Sequence, residues 1–191
     1  MSDEPLSHDD RHLLLQLARQ AMERAAYGAP PPDLDLASLP PRLREPGVCF
    51  VTITTRAGRL RGCIGGLEVH LPLAEDVCQH AAAAALEDYR FAPVMPDELP
   101  DLRIEISRLT PSVPLHYEQP DELIARLRPL IDGVVLHDGP HRATFLPQVW
   151  AKLPDPAEFL SQLCLKMAAP PDLWQRKKLG VEIYQVEEFH D

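Results

Sequence analysis

Val48-Cys49-Phe50-Val51-Thr52-Ile53-Thr54-Thr55, then Arg56-Ala57-Gly58, then Arg59-Leu60-Arg61-Gly62-Cys63-Ile64 reads as a β-hairpin. The first run is dense in β-branched residues, which pack well on a pleated surface. Arg56-Ala57-Gly58 supplies the turn, and Gly65-Gly66 ends the second strand. Period two places Arg59, Arg61 and Cys63 on one face of that strand, with Leu60, Gly62 and Ile64 on the other. Two guanidiniums are therefore expected to share a sheet face with one thiol. A bulge between Arg61 and Cys63 would break this alignment.

The flanking sequence extends the pattern. Ser7 to Tyr27 is predicted as a helix, with Ser7 and Asp10 forming a capping box. Leu13, Leu14, Leu17, Ala21 and Ala25 mark its apolar side, and Gly28 before Pro30-Pro31-Pro32 stops it. Residues 29–47 form a proline-rich strap whose Leu34, Leu36, Leu39 and Leu43 are expected to dock on the body. This divides the chain into a helix and strap over 1–47 and a body over 48–191.

A second helix is predicted from Pro72 to about Tyr89. Leu102 to Leu109 alternates as a half-buried strand, and Pro111 and Pro114 after it suggest a sheet edge. Asp121 to Arg128 reads as a short helix. Gly133–His137 and Arg142–Phe145 read as a second hairpin through Asp138-Gly139-Pro140. Pro147–Lys152 and Pro156–Ala168 read as helical, and Leu179–Glu187 as the last strand. Short connections between neighbouring strands predict antiparallel pairing. The fold class is α+β, a mainly antiparallel sheet built from hairpins with packed helices in a single compact domain.

Composition narrows the function. A chain of 191 residues buries roughly 70% of its unfolded surface and needs no staple. Its net charge is −10, from 19 basic and 29 acidic residues, which argues against a general nucleic-acid binder. No apolar run reaches the length of a membrane span, and the first ten residues lack a signal peptide's pattern. The expected location is the cytoplasm, where four reduced thiols are ordinary. Cys49, Cys78 and Cys164 read as small buried hydrophobes. No cysteine or histidine spacing matches a zinc site, and no cofactor motif is visible, so neither metal nor cofactor is expected.

Cys63 is the candidate reactive residue. A nearby cation favours thiolate, the reactive form, and Arg61 is its expected partner. Arg59, Gly62, Ile64 and Gly65 complete the candidate ligand site. The bland reading of Gly62 and Gly65 is turn geometry, since Gly-Cys-Ile-Gly-Gly is neither a P-loop nor a Rossmann fingerprint. Thr144 and Gln148 are candidates for a second wall facing Cys63, with Phe145, Val149 and Trp150 as core. Asp88 and Arg90 read as a local cap or salt bridge.

Four blocks resemble the AMMECR-type domain family, protein A of the AmmeMemoRadiSam system. They are Phe50-Val51-Thr52 with Gly58 to Gly65; Pro72-Leu73-Ala74-Glu75 leading to Asp88-Tyr89-Arg90-Phe91; Glu98-Leu99-Pro100 with Ile104-Glu105-Ile106-Ser107; and Asp132-Gly133-Val134 with Arg142 to Trp150. The resemblance covers roughly Phe50 to Phe189. It implies an α+β fold around an antiparallel sheet. It also implies two partners, a Memo-type protein and a radical S-adenosylmethionine enzyme. No cysteine triad of that enzyme class occurs in this chain.

Together these readings predict a cytosolic accessory or enzyme-like protein. A small cleft at Arg61 and Cys63 would bind an anionic small molecule or a modified protein segment. The alternative is a non-catalytic adaptor in which the glycine-cysteine strand is structural.

Overall fold

The computed structural model describes residues 4–191. In chain order the elements are α1 (His8–Ala26), α2 (Pro41–Arg44), β1 (Pro46–Gly47), β2 (Cys49–Thr55), β3 (Leu60–Gly65), β4 (Leu71–Pro72), α3 (Leu73–Leu86) and β5 (Leu102–Leu109). There follow β6 (Val113–Pro114), α4 (Pro120–Arg126), β7 (Gly133–Asp138), β8 (His141–Phe145), α5 (Pro156–Lys166), α6 (Leu173–Arg176), β9 (Gly180–Tyr184) and β10 (Val186–His190). The fold is α+β, as expected, and the strand pairs whose register is defined are antiparallel. Among the described residues, no helix is long and apolar enough to cross a membrane.

The chain forms two compact units. Of the described residues, the first comprises 4–109 and 187–191, and the second 110–186.

In the first unit, the sheet runs β10-β5-β2-β3, so β3 is an edge strand. Helix α1 begins as its capping residues dictate: the Ser7 hydroxyl accepts from the Asp10 amide at 3.1 Å and donates to the Asp10 carboxylate at 2.7 Å. Its buried residues Leu14, Leu17, Ala18, Ala21 and Met22 fall at helical spacing. They share a core with Val77, Ala81, Ala84 and Ala85 of α3 and with Val51, Ile53, Ile104 and Ile106 of the sheet. The strap is pinned by Leu43, which is fully buried, while Leu34 and Leu39 pack on the same core.

In the second unit, the sheet runs β6-β9-β7-β8. Its core holds Trp150 stacked on Phe159, with centroids 3.7 Å apart and planes 5° from parallel. The Trp150 indole N–H donates to the Asp132 carbonyl at 2.7 Å, so burial leaves no unpaired donor.

Two elements depart from the expected pattern. The last strand is two strands: β9 pairs with β7, whereas β10 pairs with β5, with a break at Gln185. Helix α3 is shorter than expected, with Pro72 as its cap and Asp88 to Arg90 left in the loop beyond it.

Candidate functional site

The hairpin forms, but its alternation does not run through Arg61. Ile53 pairs with Gly62 and Thr54 with Leu60, so a bulge falls at Arg61. Arg59 lies outside the strand, exposed in the turn, with its amide on the Thr55 hydroxyl at 3.2 Å. The expected row of Arg59, Arg61 and Cys63 on one face is therefore corrected, because a bulged residue breaks the two-residue period.

Beyond the bulge the alternation is regular. Gly62 faces α3, where a Cβ would collide with the Ala84 carbonyl oxygen. Gly62 is thus required by close packing of β3 on α3, not by a turn. Ile64 packs on the first unit's core. A Cβ on Gly65 would run into Phe50 and the Cys49 carbonyl. These three residues are accounted for by packing.

Cys63 points to the other face and is half-buried. Its cross-strand neighbour is Thr52, whose hydroxyl approaches Sγ at 3.4 Å. Thr52 is paired in turn with Glu105 on β5, so thiol, hydroxyl and carboxylate lie in one row across the sheet. As an edge-strand residue, Cys63 has its amide free for a non-sheet partner. That partner is Asp88, whose Oδ2 accepts the N–H at 2.8 Å.

Asp88 then fixes a cation. It accepts from Arg90 Nε at 2.8 Å and Nη2 at 2.6 Å, a two-point grip. The Arg90 side chain is 45% exposed and that of Asp88 is 4% exposed. The hydrogen bonds from Arg90 hold the Asp88 carboxyl well below the usual carboxylate range, overcoming burial, and the amides of Cys63 and Arg90 assist. Arg90 is raised above its ordinary value chiefly by Asp88, with Cys63 adding a smaller share. The cation that Asp88 ties to Cys63, through the Cys63 amide, is therefore Arg90. Its residues were visible in the sequence as Asp88-Tyr89-Arg90, but only the amide of an edge strand brings them to Cys63.

Arg61 is engaged elsewhere. Its Nε and Nη2 grip Glu98 at 2.7 and 2.9 Å, and the carbonyls of Ala92 and Pro93 accept from it at 2.8 and 3.2 Å. Arg61 thus staples the loop over 92–98 to the strand.

The other three thiols are each raised above their ordinary value. Burial, then the charge of Asp76, raises the Cys49 thiol well above its ordinary value. Cys78 is pushed up to about 12, first by burial and then by Glu75. Cys164 is raised, mainly by burial.

Thr144 and Gln148 belong to the second unit. The Thr144 hydroxyl donates to the Val134 carbonyl at 2.8 Å and lies 3.0 Å from the Tyr184 hydroxyl, all buried. Gln148 is exposed on the short 3-10 helix Pro147–Ala151 after β8.

Comparison with known proteins bears on this geometry. The AMMECR1 family pattern matches residues 15–189, which includes every residue of the Cys63 site. The chain belongs to the AMMECR1 family. A protein of Methanothermobacter thermautotrophicus is 38% identical over 191 residues, covering 98% of this chain and 97% of that relative. One of Thermofilum pendens is 41% identical over 202 residues, covering 96% and 91%. The crystal structure of an uncharacterized protein from Pyrococcus horikoshii superposes with a TM-score of 0.84 at 30% identity, covering 97% and 93%. The AMMECR1 match begins inside α1, well before the residues that carry the resemblance in the sequence. Membership of AMMECR1 establishes family and fold and assigns no reaction.

Proposed function

We propose that this protein is a cytoplasmic accessory or enzyme-like component that binds an anionic ligand against Cys63. Arg90, not Arg61, is the cation that receives the anion. The observation that carries this reading is the double role of Asp88, which holds the Cys63 amide and the Arg90 guanidinium together. A half-buried thiol with a hydroxyl on one side and an exposed guanidinium nearby is suited to contact a carboxylate or phosphate. It is equally suited to attack an electrophilic centre carried by the same ligand. The Memo-type and radical S-adenosylmethionine partners implied by the family resemblance belong to the same proposal and are tested by co-purification.

The test is differential thiol alkylation of the native chain. Cys63 should label well before Cys49, Cys78 and Cys164. Arg90→Gln should leave Cys63 reachable while removing the guanidinium that receives the anion. Inorganic phosphate should protect Cys63 in the wild type and not in Arg90→Gln. A native Cys63 that labels no faster than the buried thiols would overturn the proposal and leave a structural strand in an adaptor.

A further inference from the structure

A second cluster lies in the first unit and takes no part in the Cys63 site. Cys49 Sγ, an Asp76 carboxylate oxygen and His80 Nδ1 lie within 4.8 Å of one another. Asp76 Oδ2 is 3.1 Å from His80 Nδ1, and Cys49 Sγ is 4.0 Å from the same nitrogen. The three residues come from two rigid elements. Asp76 and His80 stand one turn apart on α3, and Cys49 opens β2 beneath them.

We infer that Cys49, Asp76 and His80 form a binding site for a divalent transition metal of the zinc class. Thiolate, imidazole and carboxylate together are the donors of a borderline-soft cation, and hard cations such as magnesium select oxygen-only sets. A zinc-class ion stands about 2.0–2.3 Å from each donor. Tetrahedral donors then lie roughly 3.3–3.8 Å apart, a spacing that the 3.1 and 4.0 Å separations bracket.

The surroundings are those of a prepared site. Cys49 is fully buried and Asp76 is 4% exposed, so both donors are held by packing. Asp76 Oδ2 also accepts the Cys49 amide at 2.9 Å, which fixes the carboxylate whether or not metal is bound. The His80 ring rests against Gly66, within van der Waals reach of where a Cβ would be. Asp76 and His80 line an open cavity of about 640 Å³, which also includes Gly65, Gly66, Glu68 and His70. That cavity gives the ion a path in. It also leaves the fourth position open to water or a small ligand, the pattern of a reactive zinc site. Binding releases the Cys49 thiol proton to solvent as the sulfur–metal bond forms.

Cobalt(II) titration of the full chain tests this, because a cobalt–thiolate bond gives a near-ultraviolet charge-transfer band and tetrahedral geometry gives strong visible bands. The wild type should show both, saturating at one equivalent, and zinc(II) should bleach them. Cys49→Ser should abolish the charge-transfer band. His80→Ala should weaken cobalt binding at least tenfold. Cys63→Ser should leave the spectrum unchanged. A wild type without a charge-transfer band would overturn the inference, as would a band that survives in Cys49→Ser or is lost in Cys63→Ser. If Cys49→Ser fails to fold, an unchanged affinity in His80→Ala overturns it alone.

Discussion

The amide of Cys63 donates to the Asp88 carboxylate at 2.8 Å, and this bond joins the edge strand to the loop that follows α3. A sheet edge ordinarily offers its unpaired groups to water or to another strand. Here one of them is satisfied by a buried charge that also grips Arg90.

Asp88→Asn should destabilise the protein by about 1–3 kcal/mol at neutral pH, the range for losing hydrogen bonds to a charged group. The half-exposed Arg90 places the value toward the lower end. The pH dependence has a definite sign. Asp88 is depressed in the folded state, so its contribution is present above the unfolded carboxylate value of about 3.9 and is lost as pH falls further toward the folded one. Urea unfolding should therefore show a gap between wild type and variant at pH 7 that narrows below about pH 4. A gap constant with pH would rule out the charge as its source.

Arg61→Ala separates structural from chemical roles in the strand. Loss of the Glu98 grip should cost about 1–2 kcal/mol. It should also speed hydrogen exchange at the Met95 amide, which Glu98 holds at 2.8 Å. Cys63 alkylation should change less than twofold. Loss of phosphate protection at Cys63 in this variant would restore Arg61 as the anion-receiving cation.

Gly62→Ala should be among the most damaging single-methyl changes in the first unit. The new carbon meets a helix backbone carbonyl, which cannot swing aside as a side chain would. A loss of roughly 3 kcal/mol is expected, the upper end for overpacking. It would appear as a lower denaturant midpoint with an unchanged slope. A near-neutral result would mean that β3 is not seated on α3.

Thr144→Val should cost about 1–2 kcal/mol by removing the bond to the Val134 carbonyl. The Tyr184 hydroxyl keeps a partner in the Phe145 carbonyl at 3.3 Å, which limits the loss. Cys63 labelling and phosphate protection should not move. A change in either would give Thr144 a part in the ligand site.

The strands were legible because they obey local rules. The β-branched run from Cys49 to Thr55 and the clean alternation from Leu102 to Leu109 each form strands where periodicity puts them. The helix at His8–Ala26 follows from a cap, a spacing and a stop. What escaped local reading depends on partners distant along the chain. Gly62 reads as a turn residue until Ala84 is seen against it. Arg61 reads as a neighbour of Cys63 until the bulge and Glu98 claim it. Asp88 and Arg90 reach Cys63 only because β3 lies at an edge, and edge position is a property of sheet order. The pair Asp76 and His80 shows helical spacing, but Cys49 joins it from 27 residues away. The break at Gln185 lies inside a run that reads as one strand, and only the two different pairing partners divide it.

The pairing of β10 with β5 has a consequence for synthesis. The Ile104 amide donates to the Asp191 carboxylate across 87 residues of chain. Until β10 has been made, β5 lacks its partner on one side. One side of β5 then offers a row of unpaired amides and carbonyls. Contacts that close over such long separations are slow to form. The nascent first unit therefore stays one strand short until the second has been made, with that margin of its sheet unpaired.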